Sequence, residues 1–168
     1  MGRCARSVLV SAAAAALSAA AASAGVPTHK TFRLDAQKVS VQLPSGWGKN
    51  LRPDREWQWH AVAPGYVAHL YVNAIPTTKD FSVVGPAYAQ ALKKPFASGD
   101  PHWAFSSSPV RVASLPALKI TFRYRNLTVE AQPVEVATIY AFVRGGLFYV
   151  FDYVATPKRV ATMRPVFE

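Results

Sequence analysis

Cysteine is almost absent from this sequence of 168 residues, whose single cysteine is Cys4. One cysteine cannot form a disulfide within the chain, and Cys4 lies in an N-terminal segment that we expect to be removed. Because it precedes the apolar part of that segment, it does not fit a lipid-modified cysteine, which would follow the cleavage site. The processed chain would have neither disulfide nor thiol chemistry, and its core alone would hold it folded, which suits a bacterial envelope protein.

Two common catalytic signatures are also missing. The sequence has no Gly-x-Ser-x-Gly pentapeptide, which nucleophile-elbow hydrolases use to present their serine on a sharp turn. It has no glycine-rich loop of the phosphate-binding type either. We therefore expect a protein that is not an enzyme and has no cofactor.

Acidic residues are few: nine Asp+Glu stand against 19 Lys+Arg, a formal net charge of +10. Removal of Arg3 and Arg6 with the N-terminal segment would leave 17 basic residues, and 17 − 9 gives +8. This charge favours anionic lipid head groups, other anionic envelope components or an acidic envelope protein as partners. The alternative is a generally basic surface that keeps the protein soluble, because the basic residues form no long run.

Residues 1–24 have the three parts of a secretory signal peptide in the right order. Arg3 and Arg6 form the basic part, Val8 to Leu17 is apolar, and Ala22-Ser23-Ala24 is a cleavage site of small residues. An alanine-rich structural or anchoring helix is the alternative. We predict a secreted, periplasmic or cell-envelope protein with one domain, residues 25–168, no nucleic acid partner and no later membrane-spanning segment.

The segment from Val134 to Ala155 predicts two long strands joined at Gly145-Gly146, a pair that adopts the positive φ angles of a tight hairpin. This turn places Phe142 opposite Tyr149. The same geometry pairs Arg144 with Leu147, Tyr140 with Phe151, and Thr138 with Tyr153. Both faces of the hairpin are apolar, so we expect it in the middle of a sheet that is covered on both sides.

A second hairpin is predicted from Trp57 to Val62 and from Val67 to Ile75. A turn centred on Pro64-Gly65 would place His60 opposite His69, and a loop of four residues is the alternative, because proline does not suit the preferred two-residue turns. The predicted apolar face consists of Trp57, Trp59, Ala61, Ala68, Leu70 and Val72.

Two helices complete the expected elements. The segment after Asp80 is predicted to be helical, with Pro86 at a first helical position and Pro95 as the break. Near the C-terminus, Thr156 is a good N-cap and is followed by Pro157.

The strand with the clearest alternation runs from Ala117 to Arg125 and has one core face and one basic face. Another strand, from Ala104 to Ala113, is predicted to be broken near Pro109. Mostly consecutive antiparallel strands with two helices predict an α+β domain, an antiparallel sheet with helices packed on its faces.

The order of motifs resembles the PsbP-like α/β/α sandwich, and within it the LpqN-type exported proteins of actinobacterial envelopes. The resemblance rests on LPSGW (43–47), VNAIP (72–76), SLPALKITFRY (114–124) and YAFVRGGLFYVFDY (140–153). It implies a non-enzymatic binding or assembly module linked to envelope lipids and partner proteins, with no catalytic residues to transfer. Unlike the lipoprotein members, this chain has no cysteine after its signal peptide.

An apolar groove with a basic rim is the binding site that we expect. Its candidate residues are Trp57, Trp59, Lys119, Arg123 and Arg125, with core packing as the alternative role of the tryptophans. The hairpin aromatics Tyr140, Tyr149, Phe151 and Tyr153 are further candidates, for which core packing is favoured.

His60 and His69 are weak candidates for a metal site, with Asp152 as the third ligand by chemistry. Otherwise Asp152 is expected to form an ion pair with Arg123, Arg125 or Arg144. Three functions therefore remain open: an exported binding module for a lipid, an apolar ligand or an envelope protein, which we favour; a metal-assisted enzyme that uses both histidines; and a scaffold for assembly without a ligand.

Overall fold

The computed structural model describes residues 29–49, 57–96, 102–127, 130–131 and 133–163, and the expected signal peptide lies outside them. Within these ranges the chain forms nine strands and two α-helices. In chain order they are β1 (His29–Leu34), β2 (Val39–Pro44), β3 (Gly48–Lys49), β4 (Trp59–Val62), β5 (Ala68–Pro76), α1 (Phe81–Phe96), β6 (Ala104–Val112), β7 (Leu115–Arg125), β8 (Val134–Arg144), β9 (Leu147–Ala155) and α2 (Pro157–Met163). The helices of the described ranges lack the length and apolar character needed to cross a membrane.

The β8–β9 hairpin lies in the middle of a seven-stranded antiparallel sheet of order β3-β4-β5-β9-β8-β7-β6. Its register is the predicted one: Phe142 pairs with Tyr149, Thr138 with Tyr153, and the other two predicted pairs are present as well. Gly145 and Gly146 form the turn with φ angles of 56° and 73°. The two apolar faces of this hairpin therefore predicted its central position correctly.

The two sides of the sheet are covered differently. The side that we call the helix face includes Ile139, Phe148 and Val150 and is covered by α1, whose Tyr88 packs edge-on against Phe148 at 5.4 Å between ring centroids. Fully buried side chains of this kind each stabilise the fold by about 1.5–3 kcal/mol.

The opposite side, the hairpin face, includes Leu70, Val72 and Tyr153. It is covered by the separate β1–β2 hairpin and by α2. Phe32 of β1 packs edge-on against Trp59 at 5.6 Å between ring centroids. The fold is thus the expected α+β arrangement, with a β-hairpin sharing one face with the C-terminal helix.

The β4–β5 hairpin has the alternative loop of four residues, so the predicted opposition of His60 and His69 is wrong. The backbone N–H of Ala63 donates to the carbonyl of Ala68, and His60 pairs with Tyr71. A shift by two residues leaves every paired side chain on its predicted face.

Trp57 is the exception on this hairpin, because β4 begins only at Trp59. The side-chain amide of Gln58 takes the place of a strand peptide: its Nε2 donates to the carbonyl of Ala74, and its Oε1 accepts from the N–H of Ala74. In this register Ala74 would otherwise pair with Trp57. The tryptophan leaves the strand and packs on the helix face, with its ring centroid 5.2 Å from that of Tyr71.

Three proline predictions are also corrected. Pro95 does not break α1, which continues through it and ends at Phe96. Helix α1 begins at Phe81, directly after Asp80, whose carbonyl accepts from the N–H groups of Val83 and Val84, and Pro86 therefore lies inside the helix. Pro109 does not interrupt β6, because this strand forms the edge of the sheet, where a missing N–H costs no ladder hydrogen bond.

Candidate functional site

The predicted binding residues do not gather in one place. Trp59 is buried on the hairpin face beneath β1, whereas Trp57 lies on the helix face. The expectation that both tryptophans line one groove is therefore wrong. It fails because Gln58 replaces Trp57 in the strand pairing.

The predicted basic residues Lys119, Arg123 and Arg125 do share one side of β7, as expected from their alternation. This side is the hairpin face, because Lys119 pairs with Tyr140 of β8. The Nζ atom of Lys119 lies 5.6 Å from the centroid of the Tyr140 ring, within cation–π distance. However, β7 and β4 are four positions apart in the sheet, about 19 Å at about 4.8 Å per strand. Trp59 and these cations therefore do not form one site.

A groove of about 560 Å³ lies on the hairpin face, between β2 and the sheet. Residues 38–42 of the β1–β2 hairpin form one wall, and Val112, Ala113 and Leu115 at the β6–β7 turn form the other. Its floor is aromatic and consists of Tyr140, Phe142, Tyr149 and Phe151. Three of these four are hairpin aromatics for which the sequence favours core packing. Tyr149 is packed in the core as expected, whereas Tyr140 and Phe151 are half-buried and line the groove.

The floor rings are nearly parallel to one another. Phe142 and Tyr149 have ring centroids 5.2 Å apart with an angle of 17° between their planes, and Phe142 and Phe151 have centroids 5.7 Å apart with an angle of 12°. Alternation along β8 and β9 places all of these rings on the same side. The floor is therefore a closely packed row of aromatic rings, an apolar lining that suits an alkyl chain or another apolar group.

The rim of the groove is basic. Lys38 and Arg144 are both exposed and line the groove, and no carboxylate is among its described lining residues. Lys38 ends the short 3₁₀ turn between β1 and β2 with φ 53°, and its N–H donates to the carbonyl of Asp35. The groove thus combines an apolar floor with a positive edge, which suits an amphipathic anion.

His60 and His69 come together on the helix face although they are not opposed. Nε2 of His60 lies 3.0 Å from Nδ1 of His69, a hydrogen-bond distance. Burial lowers the pKa of His69 from its ordinary value, which keeps the imidazole neutral at neutral pH. Within the described part of the chain, no three His, Cys, Asp or Glu side chains are grouped so as to hold a metal ion.

Asp152 is buried on the helix face, between Tyr71 and Ile139 in the register. The expected ion pair is wrong, because Arg123, Arg125 and Arg144 all lie on the hairpin face. The Oδ1 atom of Asp152 accepts no hydrogen bond from the described residues. Burial raises its pKa to about 7.

Neither a protein-family model nor a curated protein sequence matches this chain. Solved structures do. The cyanobacterial PsbP protein CyanoP from Synechocystis superposes with a TM-score of 0.56 over 86% of this chain and 90% of that protein, at 13% identity. The chain has the PsbP-like fold. The Saccharomyces cerevisiae Ran-binding protein Mog1p superposes with a TM-score of 0.54 over 85% of each chain, also at 13% identity.

On this PsbP-like fold, sequence reasoning misses the two rim cations of the groove. It assigns Arg144 only as a partner for Asp152, and it gives Lys38 no role. The signal for Arg144 is present in the sequence, because strand alternation puts it on the same side as Tyr140 and Phe142. For Lys38 no local signal exists, since its position at the rim depends on how the β1–β2 hairpin packs on the sheet.

Proposed function

We propose that this protein is an exported, non-enzymatic binding module of the cell envelope that holds an anionic, lipid-like amphiphile in the groove between β2 and the sheet. The observation that carries the proposal is the combination of an aromatic floor with a rim formed by Lys38 and Arg144. An acyl chain would lie on the floor, and its anionic head group would meet the rim.

The dimensions and lining of the groove support a small-molecule ligand. Its volume of about 560 Å³ lies within the range of about 300–1,000 Å³ that is typical of ligand sites. Burying an alkyl chain against the half-buried rings of Tyr140 and Phe151 would remove apolar surface of both partners from water, at about 25 cal/mol per Å².

The charge of the rim favours an anionic head group over a neutral one. Lys119 extends the positive edge beyond Lys38 and Arg144, since it lies over Tyr140 in the floor. Exposed charge pairs of this kind each contribute about 0.2–1 kcal/mol, so the rim would set selectivity more than affinity.

Export to the envelope rests on the signal-like segment at residues 1–24 and on the resemblance to LpqN-type proteins. The net charge of 17 − 9 = +8 expected for the processed chain agrees with a partner in an anionic envelope. The similar fold of Mog1p, a Ran-binding protein, supports a binding role in general and does not favour a lipid.

The test is an isothermal titration calorimetry experiment in which the full chain is titrated with lysophosphatidylglycerol below the critical micelle concentration of the lipid. Zwitterionic lysophosphatidylcholine with the same acyl chain is the matched ligand. We expect saturable binding of the anionic lipid and weaker binding of the zwitterionic one. In the double variant Lys38→Glu with Arg144→Glu, affinity for the anionic lipid should fall roughly tenfold.

Two control variants separate the groove from net charge and from hydrophobicity. Lys79→Glu with Lys93→Glu makes the same charge change at exposed sites outside the groove and should bind normally. Val112→Trp fills the groove and should abolish binding, whereas Val83→Trp, at an exposed site on α1, should not. Equal binding by Val112→Trp and the unmodified chain would refute the proposal. Binding of an acidic envelope protein at the rim, with no lipid bound, would refute it in favour of protein docking.

A further inference from the structure

A second pocket, of about 720 Å³, lies on the helix face, away from the proposed lipid groove. It forms where the β4–β5 loop, the β7–β8 connection and the start of α2 meet. Trp57, Tyr71 and Tyr124 contribute aromatic rings to its lining, and Glu135 and Asp152 contribute carboxyl groups. Its lining therefore differs in character from that of the groove, which has no carboxylate among its described residues.

The carboxyl group of Asp152 is the central feature of this pocket. Asp152 is 8% exposed, and its Oδ1 atom accepts no hydrogen bond from any described residue. Buried polar atoms in native proteins nearly always have a partner, because an unmade hydrogen bond is costly. Asp152 also lines the pocket, so its carboxyl group lies at the pocket wall with Oδ1 itself turned into the protein and unpaired by any described residue.

Glu135 supplies a second carboxylate, which the protein holds in place. The hydroxyl of Tyr124 donates to Oε2 at 2.8 Å, and Nδ2 of Asn126 donates to Oε1 at 3.1 Å. Each oxygen can accept a further hydrogen bond, because a carboxylate offers about four acceptor positions. These two hydrogen bonds fix the orientation of the Glu135 carboxylate and leave it able to accept hydrogen bonds from a ligand.

The walls of the pocket add aromatic faces. The rings of Trp57 and Tyr71 lie 5.2 Å apart, and Tyr71 in turn stacks on His60 at 4.2 Å between centroids. Electron-rich rings of this kind attract a cation placed over them. His69, which also lines the pocket, is kept neutral by its lowered pKa and does not oppose a cation.

The balance of charge in the lining is negative. Among the lining residues that the structure describes, Asp152 and Glu135 stand against one cation, Arg159, which is exposed on α2. In a chain with 19 basic and nine acidic residues, a pocket with this balance is the reverse of the overall charge.

We propose that this pocket binds a primary ammonium group attached to an apolar body, with Asp152 accepting an N–H hydrogen bond from the ammonium and the rings of Trp57 and Tyr71 contacting the apolar part. Glu135 contributes the second negative charge. A primary amine fits better than a quaternary one, because only an N–H donor can form hydrogen bonds with the carboxyl groups of Asp152 and Glu135. The site does not depend on the lipid groove and lies on the other side of the sheet.

The test uses phenethylamine as the probe and neutral 2-phenylethanol as its match in size and shape. The full chain is titrated at pH 8, where Asp152 is ionised, and the indole N–H signal of Trp57 is followed by NMR. We expect phenethylamine to bind at least tenfold more tightly than the alcohol. Equal affinities of the two probes would overturn the proposal.

Variants test the role of Asp152 directly. Asp152→Asn keeps the shape of the side chain and should weaken phenethylamine binding at least tenfold, whereas Asp80→Asn, at an exposed site outside the pocket, should not. Unchanged binding by a folded Asp152→Asn chain would also overturn the proposal. If that variant does not fold, the comparison of amine and alcohol in the unmodified chain decides, together with Glu135→Gln, which should weaken amine binding. Lipid binding by Asp152→Asn should remain normal. The proposals for the lipid groove and for the amine pocket can therefore be refuted separately.

Discussion

The hydroxyl of Tyr149 donates a buried hydrogen bond of 2.8 Å to the backbone carbonyl of Gln37. These two residues are 112 positions apart in the chain, and their bond joins the floor of the proposed lipid groove to the hairpin that forms its wall. Gln37 itself lies in the turn between β1 and β2, and its Nε2 also donates to Gln58. The position of the wall therefore depends on a small number of polar contacts in addition to apolar packing.

Tyr149→Phe should destabilise the protein by about 1–3 kcal/mol, because it leaves the carbonyl of Gln37 buried without its donor. Urea denaturation followed by circular dichroism measures the free energy of unfolding. Tyr66→Phe is the matched control, since the side chain of Tyr66 is 73% exposed, and it should change stability by less than about 0.5 kcal/mol. Equal stability of Tyr149→Phe and the unmodified chain would show that the hairpin is held by apolar contacts alone.

The β8–β9 turn allows a test of backbone strain without steric conflict. Gly145 has φ 56°, and a Cβ atom added there meets no atom within 4 Å. Gly145→Ala should therefore cost about 1–2 kcal/mol through its left-handed conformation alone, and Gly145→Asn should cost less, because asparagine tolerates this region. Thermal or urea unfolding measures both effects.

Gly48 provides the comparison for this series. It also has open space around its Cβ position, and its φ lies outside the left-handed region. Gly48→Ala should leave the free energy of unfolding nearly unchanged. A similar loss in Gly48→Ala and Gly145→Ala would mean that the backbone of the β8–β9 turn is not the cause.

The position of Pro86 inside α1 predicts a stabilising substitution. Proline has no N–H to donate to the preceding turn, and its ring disturbs the helix, so Pro86→Ala should stabilise the protein by about 1–3 kcal/mol. Gln90→Ala, at another exposed site of the same helix, should change stability by only a few tenths of a kcal/mol. A loss of stability in Pro86→Ala would show that the proline ring contributes contacts that outweigh the missing hydrogen bond.

The sequence predicted those parts of the fold that local patterns determine. The register of the β8–β9 hairpin follows from Gly145-Gly146 and from alternation, and both signals lie within the hairpin itself. The same alternation already places Arg144 and Asp152 on opposite faces, so the expected ion pair could have been rejected from the sequence.

Other features depend on partners that are distant in the chain. Trp57 leaves its predicted strand because the side chain of Gln58 binds the backbone of Ala74, 16 residues further on. No local rule predicts this replacement of a peptide by a side chain. The groove is a stronger case, since Lys38 and Arg144 meet only after one hairpin packs on a separate sheet.

Asp152 predicts an unusual dependence of stability on pH. The pKa of this carboxyl is about 7 in the folded protein against an ordinary value of 3.8, and burial is the cause. The other ionisable groups that line the same pocket are Tyr66, His69, Tyr71, Tyr124, Glu135 and Arg159. Tyr88 of α1 is also close, and burial and the Asp152 charge both raise its pKa. Because the folded state holds the proton more tightly than the unfolded state, the contribution of Asp152 is fully present below pH 3.8 and is lost as the pH rises to about 7.

The expected size of this effect is about 4 kcal/mol, at about 1.36 kcal/mol per pKa unit. It is measured as the difference in unfolding free energy between Asp152→Asn and the unmodified chain, by urea denaturation from pH 4 to pH 8. Relative to the unmodified chain, Asp152→Asn should gain stability steadily up to about pH 7 and then no further. Asp35→Asn, at an exposed position, should follow the unmodified chain throughout.

Parallel curves for Asp152→Asn and the unmodified chain would mean that the carboxyl group is hydrated or paired in solution. The same curves repeated with saturating phenethylamine should converge above pH 7, because a bound ammonium would stabilise only the chain that carries the ionised aspartate.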